Sequence, residues 1–138
     1  MNVAQLAPLI ISDQMALPLF LHSANDDSDA DLTGPAALDL GAHLVRRPRA
    51  SGYTYANDDS MQAFGVNNGD LLIVDRSIKP QDGDLVIARL EHDILCRSLD
   101  MRESCLRAGL DGIAPIRLNE QVEVVIEGVV TFSVRQQR

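Results

Sequence analysis

The stretch Val122-Glu123-Val124-Val125-Ile126-Glu127-Gly128-Val129-Val130-Thr131-Phe132-Ser133-Val134 decides the fold class. Over these thirteen positions every even one holds an apolar residue or glycine, while Glu123, Glu127, Thr131 and Ser133 fall among the odd ones. Side chains of an extended strand project alternately to opposite faces, so this spacing predicts a strand with one face toward a core and the other toward water. Gly128 inside the pattern predicts a bend or bulge.

Upstream, the same grammar repeats. Asp70-Leu71-Leu72-Ile73-Val74-Asp75 is a short apolar run between Asn68-Gly69 and Lys79-Pro80, the form of a buried strand. Asp82-Gly83 turns the chain into Asp84–Leu90, and Glu91-His92-Asp93 turns it into Ile94–Leu99, which reads as a β-meander. Before these strands, Pro35–Val45 predicts a short helix, with Ala36, Ala37, Leu40 and Leu44 at helical spacing. Residues 1–20 carry loosely spaced apolar residues without a period. Asn25-Asp26-Asp27-Ser28-Asp29-Ala30-Asp31 is too polar to bury surface and predicts a linker. The expected architecture is mainly β: a folded, partly closed antiparallel sheet over residues 44–138, preceded by an amino-terminal arm, acidic linker and short helix over residues 1–43.

With 138 residues, 46% of them hydrophobic, the chain is long enough for one core. No run approaches a membrane span and no basic segment leads a long apolar run, so a cytoplasmic protein is expected. Twelve basic residues stand against 20 acidic ones, and the net charge of −8 opposes a phosphate backbone. That balance argues against direct nucleic-acid binding and points to a protein partner or a small ligand. Cys96 and Cys105 lack metal or redox spacing and read as buried free thiols. Asp27, Asp29 and Asp31 have the alternation of a calcium loop, but Leu32 stands where the turn needs glycine and Leu38 where a bidentate glutamate belongs. No metal or other cofactor is expected.

Asp59-Ser60-Met61, then Gly69-Asp70-Leu71-Leu72-Ile73-Val74-Asp75, then Gly83-Asp84-Leu85-Val86-Ile87-Ala88 and a charged residue on the next strand together resemble the LexA/UmuD self-cleaving serine–lysine peptidases, the UmuD-like members in particular. The resemblance covers roughly residues 48–138, and Pro18-Leu19-Phe20 resembles part of that family's arm. It implies that Ser60 holds the nucleophile's position. The lysine that activates the serine falls, at an ungapped spacing, on Arg97. A guanidinium has no lone pair to take a proton and stays charged, so the general base is missing. Lys79, the only lysine, precedes Pro80 in a turn, and His92 lies in the turn between two strands. The family also cuts its arm at a small residue followed by Gly, whereas Gly34, Gly41 and Gly52 follow Thr33, Leu40 and Ser51. Asp58-Asp59 stands where Gly-Asp is usual.

The resemblance therefore implies a homodimeric SOS-mutagenesis accessory protein that binds UmuD-type or Y-family polymerase subunits and a RecA-like recombinase, without self-cleavage. Two alternatives stay open: an active serine peptidase with its base elsewhere, and a LexA-like dimerisation module of a regulator. For the residues themselves, Ser60 is alternatively an ordinary loop serine. Arg97 is alternatively a surface arginine paired with Glu91 or Asp93, or a guanidinium that fills the lysine's place and hydrogen-bonds Ser60.

Overall fold

The structure, a computed structural model, describes residues 7–8, 18–20, 37–119 and 122–138. The acidic run 25–31, its calcium-like spacing and Gly34 lie outside those residues. The strands, in chain order, are β1 Ala7–Pro8, β2 Pro18–Phe20, β3 Ala37–Asp39, β4 Ser51–Tyr55, β5 Leu71–Asp75, β6 Leu85–Leu90, β7 Asp93–Asp100, β8 Cys105–Arg107, β9 Ile116–Arg117 and β10 Val124–Val134. One helix is present among the described residues, α1 at Leu40–Leu44, with 3₁₀ turns at Pro48–Ala50 and Gln62–Phe64. The expectation of a mainly β, antiparallel protein with little helix holds.

Eight strands form one sheet in the order β1-β4-β5-β10-β6-β7-β8-β9, and β2 pairs separately with β3. The sheet is not closed, since β1 and β9 stand at its two edges. The order corrects the meander reading: β6 and β7 form a hairpin, but β5 and β6 are not neighbours, because β10 lies between them and pairs with both. The physical reason is burial. Leu72, Ile73 and Val74 on β5 and Val86, Ile87 and Ala88 on β6 are all buried, so both strands need cover on both faces and both edges. The longest strand supplies the edge to each.

Along β6 the side chains alternate between two cores. Ile87 packs with Ala56, Met61, Val66, Leu72, Val74 and Cys96, while Val86 and Ala88 pack with Leu99, Leu106 and Val129 on the other side. The register of β10 slips between Ile126 and Gly128 against β6, the bulge that Gly128 predicted. Only a glycine fits there: a Cβ on Gly128 would meet Val74 Cγ1 at 2.6 Å and Asp75 O at 3.1 Å. The helix is shorter than the sequence suggests. Ala37–Asp39 is extended because it pairs with Pro18–Phe20, and Asp39 then caps α1 by accepting from the Ala42 N–H at 3.0 Å. Tertiary pairing overrides the helical spacing of Ala36 and Ala37. The ring of His43 rests on Phe132, centroids 5.6 Å apart, which seats α1 against β10.

Candidate functional site

Ser60 sits in the connection from β4 to β5, a loop held at its base by the Ala56 N–H to Asp70 O and Gly69 N–H to Ala56 O bonds, 2.9 and 2.7 Å. Within it, the Asp58 carboxylate accepts the Ser60 N–H at 2.9 Å and the Asp59 carboxylate accepts the Asn68 N–H at 2.9 Å. These are the local side-chain-to-backbone bonds for which aspartate suits a turn. Met61 carries the loop into the first core, where it is fully buried beside Cys96. The 3₁₀ turn that follows ends on Gly65 at φ +83°, a left-handed position that glycine takes without strain.

Two further contacts fix this loop. The Gly109 N–H donates to Ser60 O at 2.6 Å and Gly109 O accepts the Ala63 N–H at 3.0 Å, so the chain leaving β8 lies across the serine. A side chain at Gly109 would strike Phe64 Cδ2 at 2.7 Å and the Ala63 and Met61 backbone at 3.1 Å. At the other side, Arg135 Nε and Nη2 each donate to an Asp70 carboxylate oxygen at 3.0 Å, and Nη2 also reaches Gly65 O at 3.0 Å. Asp70 is 2% exposed, and the Arg135 hydrogen bonds hold its carboxyl below the usual range against the opposing effect of burial. None of Gly109, Asp70 or Arg135 announces itself in the sequence as a site residue.

Arg97 lies mid-strand on β7, opposite Val86, and is 7% exposed. By strand alternation its side chain leaves the sheet on the side opposite Cys96 and shared with Leu99. Nη1 donates to Cys96 O at 2.8 Å, while Nε has no hydrogen-bond partner. Ser60 is 5% exposed and its Oγ likewise has none. Two expectations are corrected here. Arg97 is not a surface residue paired with Glu91 or Asp93, because the hairpin buries it in mid-strand. Nor does its guanidinium hydrogen-bond Ser60: Nη1 donates to the Cys96 carbonyl, while Nε and Ser60 Oγ find no partner. What the structure brings together are the chain neighbours, Met61 and Cys96, which share one core cluster.

Burial pushes the Arg97 guanidinium down from its ordinary value, but a delocalised guanidinium remains a cation throughout the neutral range. Burial, with a smaller contribution from the Asp58 charge, pushes the Cys96 thiol up to about 12, so it is protonated at neutral pH. Cys105 is also buried, and both cysteines are free thiols. Lys79 and His92 are exposed in the β5–β6 connection and the β6–β7 turn. Among the described residues no three His, Cys, Asp or Glu side chains converge as metal ligands, and no helix is long and apolar enough to cross a membrane.

Residues 18–131 match the family described as Peptidase S24-like. Protein ImpA of Salmonella typhimurium is 33% identical over 132 residues, covering 91% of this chain and 88% of that protein. Protein MucA of Escherichia coli is 30% identical over 124 residues, covering 86% and 84%. The LexA repressor of Vibrio parahaemolyticus is 30% identical over 133 residues, covering 85% of this chain and 65% of the repressor.

Proposed function

Because the chain belongs to the Peptidase S24-like family, we propose that it is a UmuD-like accessory protein of SOS mutagenesis that works by pairing with itself and binding other proteins, and that it does not cut its own chain. The observation that carries this reading is Arg97. In a serine–lysine mechanism a buried neutral amine takes the serine's proton as the hydroxyl oxygen attacks the peptide carbonyl, and later returns a proton to the leaving amine. Burial serves that scheme when the base is lysine, because it favours the neutral form. The same burial around Arg97 yields a desolvated cation with no lone pair, and the proton of Ser60 has nowhere to go.

The extensive match to ImpA and MucA supports the accessory-protein reading over that of a repressor fragment. On this reading the protein is a cytoplasmic homodimer, with a polymerase of the Y family and a RecA-like recombinase as partners. Incubation with recombinase filaments on single-stranded DNA, and separately at alkaline pH, is expected to leave the chain intact by mass spectrometry. A fragment lacking the amino-terminal arm, absent for Ser60→Ala, would overturn the reading. Sedimentation at micromolar concentration is expected to give twice the 15.1 kDa chain mass.

A further inference from the structure

At the end of β4 and β5 away from the Ser60 loop, five of the chain's 12 basic residues gather in two segments, Arg46, Arg47 and Arg49 in one, Arg76 and Lys79 in the other. The segments lie side by side. The Arg76 N–H donates to Ala50 O at 2.8 Å, and Arg47 Nη1 binds the buried Asp75 carboxylate at 3.0 Å. Arg47 is thereby neutralised. Arg46, Arg49, Arg76 and Lys79 are exposed and form no ion pair among the described residues. On a chain with net charge −8 this is a local reversal of sign.

The same place holds a cavity of about 460 Å³. Its apolar lining comes from Leu44, Ile78, Val129, Val130 and Phe132, and Arg46, Arg47, Asp75 and Asp84 line it as well. That volume suits one or two bulky side chains or a small ligand. The carboxylates nearest the cavity are already engaged: Asp75 accepts from Arg47 and Ser77, and Asp84 accepts the Gln81 N–H at 2.8 Å, bracing the β5–β6 connection.

We propose that this surface docks an acidic peptide segment of a partner protein, with an apolar side chain of the peptide in the cavity and its carboxylates along Arg46, Arg49, Arg76 and Lys79. Charge complementarity selects the acidic partner, since these four cations have no ion-pair partner among the described residues. The cavity favours a peptide over a nucleic-acid duplex, whose outer face is charged phosphate and sugar with no apolar side chain to seat against Leu44, Ile78 and Phe132. Nothing in the surface depends on Ser60 or Arg97, so it stands whether or not the chain cleaves itself.

The test is fluorescence anisotropy of the full chain with a labelled octapeptide pool, alternating Asp or Glu with Leu, Ile or Phe, against its Asn/Gln counterpart and a single-stranded oligonucleotide. The acidic pool is expected to bind with a Kd that rises at least tenfold in the combined Arg46→Glu, Arg49→Glu, Arg76→Glu variant and at least tenfold for the neutral pool. Leu44→Gln is expected to weaken binding without changing the thermal melt by more than a few degrees. Equal binding of acidic and neutral pools, or no binding of the acidic one, overturns the proposal. Oligonucleotide binding that falls in the charge variant but not in Leu44→Gln overturns it in favour of a nucleic-acid surface. Binding seen only after Asp26, Asp27, Asp29 and Asp31 are changed to Asn overturns it in favour of this chain's own acidic run as the occupant.

Discussion

Arg97→Lys tests the pocket and the chemistry together. The new amine would sit where Arg97 is 7% exposed, opposite Val86 and on the side of Leu99, with only the Cys96 carbonyl to accept from it. Full burial lowers a lysine's pKa by up to about 3–5, and one remaining acceptor trims that to roughly 2–3, placing the folded-state value near 7.4–8.4 against about 10.4 unfolded. A cation whose folded pKa is depressed leaves the unfolded chain holding more protons between the two values. Stability therefore rises with pH across that window. Each tenfold difference in proton affinity between the folded and unfolded chain is worth about 1.36 kcal/mol, so the gain is roughly 3–4 kcal/mol from about pH 7.5 to 10.4. The assay is urea unfolding of the variant and the parent protein across that range, taking the difference so that groups common to both cancel. With the amine neutral, self-cleavage still needs a cutting site; Asp26→Cys with Asp27→Gly supplies a small-residue–Gly bond at the offset set by Pro18-Leu19-Phe20. The triple change is expected to cleave slowly and only at alkaline pH, and neither Arg97→Lys alone nor the cutting-site change alone to cleave. A flat stability difference with pH would refute the apolar surroundings assigned to Arg97. A rising difference without cleavage in the triple variant would refute the assignment of Ser60 and Arg97 to one site.

The Cys96 thiol, raised from an ordinary 9.0 to about 12, keeps its proton in the folded chain after the unfolded chain has lost it. The parent protein is thus expected to lose on the order of 3–4 kcal/mol as pH climbs from the first value to the second, and Cys96→Val to flatten that limb; an unchanged limb would place the titration elsewhere. Gly128→Ala forces a methyl group to 2.6 Å from Val74 Cγ1 and is expected to cost about 1–3 kcal/mol in chemical denaturation, whereas a neutral result would mean the β10 bulge can relax.

Those positions also mark what could be read from the sequence. The alternation through Val124–Val134, with its glycine bulge, is a one-dimensional signal and survived intact, as did the apolar runs of β5 and β6. The order of strands is not such a signal: sequence neighbours suggest a hairpin, and nothing in Leu71–Asp75 or Leu85–Leu90 says that a strand from the far end of the chain separates them. Ala37–Asp39 misled for the same reason, since its partner Pro18–Phe20 lies outside any local window. Ser60 and Arg97 were singled out only through the family resemblance. The burial of Arg97, its bond to the Cys96 carbonyl and the clasp of Arg135 on Asp70, 65 residues apart, are three-dimensional facts with no local trace.

The insertion of β10 between β5 and β6 also governs how the protein is made. During synthesis the strands β4 through β9 emerge first, and they can assemble only two half-sheets, one ending on the open edge of β5 and the other on the open edge of β6. Each edge bears a row of unpaired amides next to a buried-type apolar run, the arrangement most prone to pair with the wrong chain. Neither edge is covered until β10 is available, and one strand then pairs with both. Truncation before Val124 therefore leaves two half-sheets with no strand to join them, rather than a sheet short of one strand.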